Sequence, residues 1–284
     1  MISSVKTIRS KAAWPLRRVT VRIPKSALVL EVGSGGNPYP CSNVLLDAYE
    51  KTRERHWVPL VHDRPTLLSF VENLLFKDKA FDYIIAAHVL EHTPHPEKFL
   101  AELQRVARSG YIETPDAFME RINPYKDHRL EVTVRNETLV IRKKPCWIYD
   151  PELVELYEQY TKGIITSETI PNHAAAFHTR YYWKDSINYR VVNPEVDATW
   201  VPPVSSTTLP SSCSRSQLNA ALLKMIRGIF SQHARNGQLD ILPFLRCPQC
   251  HGESLSRATN TSLTCPECGA DYLVNGNLYQ FQQS

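Results

Sequence analysis

Four cysteines in the last fifth of the sequence have the spacing of a metal site. They form two Cys-x-x-Cys pairs, Cys247 with Cys250 and Cys265 with Cys268, separated by 14 residues. Two tight turns that each present two thiolates can close a tetrahedral Zn²⁺ site, in which no ligand position stays open for catalysis. A redox dithiol is the alternative, but the duplicated pair favours zinc. The pattern predicts a small structural zinc ribbon over residues 239–284.

A glycine-rich turn follows the first apolar run, residues 27–32, and has the sequence Gly-Ser-Gly-Gly at 33–36. Glycines in such a turn let the backbone approach a ligand closely, because no Cβ intervenes. Asp47 ends the next apolar run, where a carboxylate can accept hydrogen bonds from both hydroxyls of a ribose. Open α/β sheets bind ligands at the carboxyl ends of their strands. The two features together predict a site for a nucleoside-containing ligand.

Three histidines are candidates for taking a proton from a bound hydroxyl. His88 and His92 stand at or just after the fourth apolar run, and His128 precedes a predicted hairpin. Imidazole exchanges protons near neutral pH, which suits a general base. A packing or hydrogen-bonding role is the alternative for each of them.

These residues need a sheet to position them. Five apolar runs predict parallel strands: 27–32, 44–46, 57–61, 83–87 and 110–112. Between the last two, Pro96 begins a predicted helix with an apolar stripe at helical spacing, and Gly110 follows its end. Apolar strands that alternate with helices indicate an α/β fold, a Rossmann-like, doubly wound and mostly parallel sheet over residues 27–116.

The remaining segments differ in pattern. Alternating residues around Asn136 predict a β-hairpin, Pro151 begins a predicted helix, and aromatic residues crowd positions 177–189. We therefore predict an α+β cap insertion over 117–203 that serves as the substrate region. Residues 1–26 form a predicted basic extension, and residues 204–238 a linker with a connecting helix.

Composition excludes several classes of protein. The chain has 284 residues, is 43% hydrophobic and 22% charged, and carries a formal net charge of +4. A core can form, whereas the charge is too small to indicate nucleic-acid binding by itself. No run of about 18 apolar residues predicts a membrane span, and the start of the sequence lacks a secretory signal. We therefore expect a cytoplasmic protein whose cysteines are thiols or metal ligands.

The segment 27–116 resembles the class I S-adenosylmethionine-dependent methyltransferases, specifically their type 11 group. Three stretches carry the resemblance: Glu31-Val-Gly-Ser-Gly-Gly with Asp47, Phe70-Val-Glu-Asn-Leu-Leu-Phe76, and Phe81-Asp-Tyr-Ile-Ile-Ala-Ala-His-Val-Leu-Glu-His92. The resemblance implies S-adenosylmethionine as cofactor, with the methionine at the glycine turn, the ribose at Asp47 and the sulfonium near Ala87 and His88. The implied cofactor-binding residues are Glu31, Gly33, Ser34, Gly35, Asp47, Ala48, Val71, Glu72, Asn73, Ala87 and His88.

The absence of one motif restricts the class of molecule that could accept the methyl group. Methyltransferases that act on base amines or glutamine amides resemble one another in an Asn/Asp-Pro-Pro-Tyr motif after the fourth strand, where this chain has Ala-Ala-His-Val-Leu. We therefore expect O-methylation of a small polar acceptor, a sugar, glycan or natural product. In the ribbon, Leu242-Pro-Phe-Leu-Arg-Cys-Pro-Gln-Cys250 and Cys268-Gly-Ala-Asp-Tyr-Leu-Val-Asn-Gly276 resemble the small zinc proteins that activate tRNA and release-factor methyltransferases. An RNA or translation-factor methyltransferase with its ribbon in cis is thus one alternative, and a catalytically silent scaffold is another.

Overall fold

The computed structural model of the chain describes residues 18, 23–24, 26–52, 55, 57–202, 225 and 233–281. Most of the predicted basic extension and of the linker with its connecting helix lies outside these residues. The chain divides into two compact units. The sheet unit comprises Ile23–Ala86, Glu97–Gly110 and Ser206–Ser284, and the histidine unit comprises Met1–Arg22, Ala87–Pro96 and Tyr111–Ser205.

The sheet unit is built around parallel strands whose side chains are buried. β1 (Val29–Val32) lies between β2 (Val44–Asp47) and β4 (Tyr83–Ala87), and β3 (Thr66–Leu68) lies beside β2. The predicted helix forms at Pro96–Val106 and buries its apolar stripe. The predicted parallel α/β sheet is therefore confirmed. Only turns connect β1 to β2, because residues 33–43 are too few to hold a crossover helix.

The third strand was predicted at 57–61, and this prediction is wrong. Trp57 has a positive φ of 60°, and Trp57 and Val58 are each 49% exposed. The strand forms instead at Thr66–Leu68. The backbone of Val61 donates to the carbonyl of Gly35, and Val58 lies against Gly36. The apolar run 57–61 therefore packs on the glycine turn. The strand that pairs with β2 is Thr66–Leu68.

The histidine unit contains two further groups of strands. β5 (Ser109–Pro115), which begins in the sheet unit, lies beside β8 (His178–Lys184). The predicted hairpin forms as β6 (Leu130–Arg135) and β7 (Thr138–Lys143), and β9 (Tyr189–Val191) joins β7 in parallel.

Helical turns complete the histidine unit. Asp150 caps the predicted helix at Pro151–Leu156 by accepting two backbone N–H groups. The other helical segments are Leu90–His92, Ala117–Ile122, Tyr157–Thr161, Lys162–Ile164, Ile165–Thr169, Ile170–Asn172 and Ala174–Phe177. Within the described residues, no helix is long and apolar enough to cross a lipid bilayer.

The cysteine-rich segment belongs to the sheet unit. It contains a short helix at His233–Asn236, a turn at Leu242–Phe244 and four strands. The strands are β10 (Ser256–Thr259), β11 (Ser262–Thr264), β12 (Asp271–Asn275) and β13 (Leu278–Gln280), each antiparallel to the next. β13 then pairs in parallel with β3. The ribbon thereby extends the main sheet in the order β10-β11-β12-β13-β3-β2-β1-β4.

Candidate functional site

The turn after β1 is held in a conformation that glycine favours. Gly33 has a φ of 66° and Gly35 a φ of 57°, in the left-handed region where a Cβ is disfavoured. A Cβ on Gly36 would lie 2.4 Å from Cγ1 of Val58 and 3.0 Å from the carbonyl oxygen of Pro59. The glycines therefore serve both the backbone turn and the close approach of segment 57–61.

Glu31 stabilises the connection between β1 and β2. Its carboxylate is 3% exposed and accepts hydrogen bonds from the backbone N–H of Tyr39 at 2.8 Å and the hydroxyl of Ser42 at 2.6 Å. Such charge-assisted bonds fix the path of the loop. In this structure Glu31 holds the loop at Tyr39 and Ser42, after the glycine turn, while its predicted contact with the methionine moiety stays a prediction.

Asp47 connects the end of β2 to the glycine turn. Oδ2 accepts the backbone N–H of Gly35 at 3.0 Å, and Oδ1 accepts that of Tyr49 at 3.2 Å. Arg55 donates to Oδ1 at 2.6 Å and reaches the carboxylate over Gly35. Asp47 is 7% exposed, and Ala48 beside it is half-buried. The structure therefore brings together the predicted glycine and ribose residues, with an arginine that the sequence did not indicate.

Two exposed aromatic rings lie just beyond the ends of β2 and β3. Tyr49 and Phe70 are 43% and 48% exposed, and their rings meet edge to face with centroids 5.7 Å apart. The predicted adenine residues follow Phe70 in a single helical turn: Val71 is buried, Glu72 half-buried and Asn73 exposed. Exposed aromatic faces of this kind can pack against a flat heterocycle.

The glycine turn also contains a buried hydroxyl without a partner. Ser34 is 4% exposed, and among the described residues its Oγ has no hydrogen-bond partner. A buried hydroxyl without a partner is costly, and a bound ligand is one way of satisfying it. This orphaned atom, the left-handed glycines and the strand-end carboxylate fit a zwitterionic nucleoside such as S-adenosylmethionine.

The remaining predicted cofactor-binding residues, Ala87 and His88, and the predicted proton-transfer residues belong to the histidine unit. Ala87 is buried at the end of β4, and His88, which follows it, has a positive φ of 59°. Nε2 of His88 lies 3.2 Å from Oε1 of Glu113, and Nδ1 lies 3.4 Å from Oε1 of Glu91. The backbone N–H of His88 also donates to the carbonyl of Glu113 at 2.7 Å. Side chain and backbone therefore fix His88 between two buried carboxylates.

The two carboxylates change the protonation of His88. Burial disfavours the imidazolium, but the contacts with Glu113 and then Glu91 outweigh it and raise the pKa of His88 to about 9. Burial raises the pKa of Glu91, but the contact with His88 and then the charges of His88, His128 and His92 outweigh it and lower the pKa to about 2. Glu91 is therefore ionised, and His88 carries a proton at neutral pH in this arrangement.

Glu113 is the centre of a polar cluster that the sequence analysis missed. It is fully buried on β5, and its carboxylate accepts the hydroxyl of Tyr111. Arg180 donates to the hydroxyl of Tyr111 at 3.0 Å and lies 4.0 Å from Glu113. The ring of Tyr182, which is 59% exposed, lies 4.7 Å from that of Tyr111. The sequence signal that could have indicated this cluster is the acidic Glu113 directly after the apolar run 110–112.

His92 and His128, the other two predicted proton-transfer residues, lie together. Their rings meet edge to face, with centroids 4.8 Å apart. Nδ1 of His92 lies 3.2 Å from the carbonyl oxygen of Asp127, and Nδ1 of the buried His128 lies 2.6 Å from Oε2 of Glu120. His88, His92 and His128 thus occupy one unit, with Glu91 beside all three.

The four predicted zinc ligands converge in the ribbon. Their sulfur atoms all lie within 4.8 Å of one another, and two pairs are closer: Cys247 to Cys268 at 3.6 Å and Cys250 to Cys265 at 3.5 Å. A tetrahedral zinc with four sulfur ligands holds them roughly 3.8 Å apart. The backbone N–H of Gly269 donates to the carbonyl of Cys265, which closes one turn. The cluster is therefore compatible with zinc.

One family model matches part of this chain. Residues 40–112 match the family model described as a methyltransferase domain. The match includes Asp47 and the fourth strand and begins just after the glycine turn. No curated protein matches the chain.

Solved structures of low identity also match. One is a protein of Anabaena variabilis assigned as a methyltransferase of an antibiotic biosynthesis pathway (24% identity, 40% of this chain, 47% of that chain, TM-score 0.30). Another is a Thermotoga maritima protein described as an S-adenosylmethionine-dependent methyltransferase (22%, 36%, 49%, 0.28). A third is a complex of the Haloferax volcanii Trm112 methyltransferase activator with a protein assigned as a methyltransferase (15%, 39%, 57%, 0.28).

The chain spans about half the length of each of these proteins. The matched segment contains the strand-end carboxylate and the fourth strand on which the sequence resemblance was based. This chain therefore contains a methyltransferase domain over residues 40–112.

Proposed function

We propose that this chain transfers the methyl group of S-adenosylmethionine to an oxygen of a small polar acceptor, a sugar, glycan or natural product. The observation that supports binding of the methyl donor is the bond between Asp47 at the end of β2 and Gly35 in the left-handed turn. S-adenosylmethionine supplies an already activated methyl group, so the protein contributes mainly by positioning. The residues described above can supply that positioning.

Asp47 can bind the ribose without losing the glycine turn. Each carboxylate oxygen accepts more than one hydrogen bond, so Oδ2 can keep the N–H of Gly35 while it accepts a hydroxyl. Arg55 occupies Oδ1 at 2.6 Å and would have to move for a second hydroxyl. The exposed rings of Tyr49 and Phe70 are placed to pack against the adenine.

We assign the acceptor to the surface formed by His88, Arg180 and Tyr182. The exposed ring of Tyr182 offers a face for a sugar or an aromatic compound. Arg180 and His88 can donate to acceptor oxygens, and both are anchored by the buried Glu113. The role of His88, His92 and His128 in proton transfer stays a prediction. His88 carries a proton at neutral pH and would have to release it before it could act as a base. His88 is about one-third exposed, whereas His128 is buried.

Transfer of a labelled methyl group tests the function directly. Monosaccharides, phenolic and alcoholic natural products, RNA and release-factor peptides would be offered with radiolabelled S-adenosylmethionine. We expect label on an oxygen of a small acceptor. Asp47→Ala should abolish transfer, whereas Asp78→Ala, an exposed aspartate of the same unit, should retain it. Label on RNA or peptide alone would favour the alternative acceptors, and no heat on titration with S-adenosylmethionine would favour a scaffold.

We also propose that the four cysteines hold a structural Zn²⁺. A closed set of four thiolates leaves no position for substrate, so the metal would stabilise the ribbon and, through β13, the edge of the main sheet. Removing zinc with a chelator should lower the melting temperature of the whole sheet unit. A chelator that leaves unfolding unchanged would contradict this role.

A macromolecular acceptor is the second candidate, and the position of the ribbon favours it. The ribbon joins the main sheet through backbone pairing, so the chain holds in cis what resembles an activator of tRNA and release-factor methyltransferases. If phosphate contacts hold the RNA, its binding affinity should fall steeply as the salt concentration rises. Absence of RNA binding at low salt would remove this candidate.

A further inference from the structure

We propose that Glu91, His92 and His128 form a second metal site, which binds a divalent first-row transition metal and is distinct from the four cysteines. All three residues belong to the histidine unit. One ligand atom from each lies within 4.8 Å of the others. Cis ligands around such a metal are roughly 3 to 3.5 Å apart, so small side-chain rotations would complete the site.

Both histidines are held in the way that metal-bound histidines usually are. The carbonyl oxygen of Asp127 can only accept, so Nδ1 of His92 carries the proton and Nε2 carries the lone pair. In the same way, the carboxylate oxygen Oε2 of Glu120 lies 2.6 Å from Nδ1 of His128, so Nδ1 carries the proton and Nε2 the lone pair. A carboxylate or carbonyl behind the imidazole fixes its tautomer and orientation for a metal.

The support for His128 extends one residue further. Nζ of Lys144 donates to Oε1 of Glu120 at 2.7 Å, and both side chains are buried. The ammonium group of Lys144 and the carboxylate of Glu120 thus form a buried ion pair behind the imidazole. The chain Lys144–Glu120–His128 therefore ends at the proposed metal position with a preoriented nitrogen.

Glu91 is the independent observation that points to a cation. The residue is 2% exposed, and among the described residues neither of its carboxylate oxygens accepts a hydrogen bond. Its nearest ion-pair contact is Nδ1 of His88, 3.4 Å from Oε1. A buried carboxylate is stable only when it is paired or bound to a metal. His88 faces Oε1 only, so a metal held by His92 and His128 would supply a partner for Oε2, which accepts no hydrogen bond among the described residues.

The ligand set determines which metals fit. Two imidazoles and one carboxylate bind Zn²⁺ in catalytic zinc sites and Fe²⁺ in facial-triad sites, whereas Mg²⁺ and Ca²⁺ prefer oxygen ligands alone. Three protein ligands leave at least one coordination position for water or substrate. The proposed site thus differs in kind from the cysteine cluster, whose four ligands close it.

Metal content of the full-length chain tests the proposal without reference to methyl transfer. The purified protein would be stripped with a chelator, reloaded with excess Zn²⁺, desalted and measured by mass spectrometry of the metal. We expect about two zinc ions per chain in the native protein, and about one in Glu91→Gln, His92→Ala and His128→Ala. His95→Ala, an exposed histidine of the same segment, is the matched control and should retain both.

The variants also report whether they are folded. One zinc retained by the cysteines and an unchanged far-ultraviolet circular dichroism spectrum would show that loss of the second ion is local. Glu91→Gln keeps the size of the side chain and removes only its charge, so it remains informative if a histidine variant misfolds. A native protein that binds one zinc ion and releases no heat on further Zn²⁺ addition would overturn the proposal.

Discussion

Two acidic residues, Asp47 and Glu113, end apolar runs in the sequence, but the structure holds them in different ways. Asp47 is held by neighbours within twelve residues, two of them backbone N–H groups. Glu113 is held by the side chains of Tyr111, His88 and Arg180, which come from three separate segments. A local turn therefore positions the first carboxylate, and tertiary packing positions the second.

The difference has consequences for mutation. Backbone groups keep their place when a nearby side chain is changed, so the glycine turn should tolerate loss of Asp47 structurally while losing ligand affinity. The contacts of the Glu113 carboxylate described above come from side chains, and such contacts depend on one another. We therefore expect variants at Glu113 to change stability most, and variants around Asp47 to change binding most.

The largest effect is expected for Glu113→Ala. Removing this fully buried carboxylate takes one of two carboxylate partners from His88 and the nearby carboxylate from Arg180, which typically costs about 2–3 kcal/mol when those partners are partly exposed. Urea denaturation would measure the lower free energy of unfolding. Glu113→Gln should lose less, and Glu152→Ala at an exposed position should lose nothing measurable. Equal stability of Glu113→Ala and the native protein would contradict the expectation that variants at Glu113 change stability most.

Asp47→Asn should mainly weaken binding of S-adenosylmethionine. The amide keeps the shape but loses a charged acceptor, and hydrogen bonds to charged groups contribute about 1.5–3 kcal/mol, so we expect a loss of at least about tenfold in affinity. Isothermal titration calorimetry would measure it. The midpoint of urea unfolding should move less than for Glu113→Ala, and the reverse order would show that the turn depends on Asp47 for its fold.

Arg55→Ala tests whether the arginine competes with the donor. Its guanidinium lies 2.6 Å from Oδ1 of Asp47, where a ribose hydroxyl would bind. We expect affinity for S-adenosylmethionine to rise a few-fold, by about 1 kcal/mol or less, because a partly exposed ion pair is weak. Calorimetry with the native protein and Arg55→Lys as references would measure the change. Weaker binding would mean that Arg55 contributes to the site instead.

The smallest expected effect concerns the thiol of Cys41, which lies in the loop that Glu31 holds. Burial and then the charge of Glu31 raise the pKa of Cys41 to about 12, so near pH 8 the group stays almost entirely a thiol. Alkylation followed by peptide mass spectrometry should therefore label exposed Cys146 well before Cys41. Glu31→Gln should narrow the gap, and equal labelling rates in the native protein would contradict the expectation.

Local patterns predicted much of this molecule. The strand ending at Asp47, the strand Tyr83–Ala87, the helix Pro96–Val106 and the hairpin around Asn136 all follow from periodicity and punctuation. The convergence of the four cysteines follows from their spacing alone. In each case the residues that interact are close in sequence or repeat with a fixed period.

Tertiary choices were not predictable in the same way. The run at 57–61 is as apolar as a strand, but Val58 packs against Gly36 while Thr66–Leu68 takes the place beside β2. The partners of Glu113 and the grouping of Glu91, His92 and His128 depend on how distant segments meet. Arg55 lacks any motif, because an arginine in a loop has no periodic signature.

The pairing of β13 with β3 also bears on how the chain folds as it is made. Leu278 pairs with Thr66, about 210 residues earlier in the chain, which is a very long-range contact. Until the ribbon emerges from the ribosome, one side of β3 offers unpaired backbone groups, a known hazard for association with other strands. The nascent protein would then need another means, such as a chaperone, to shield that edge during synthesis.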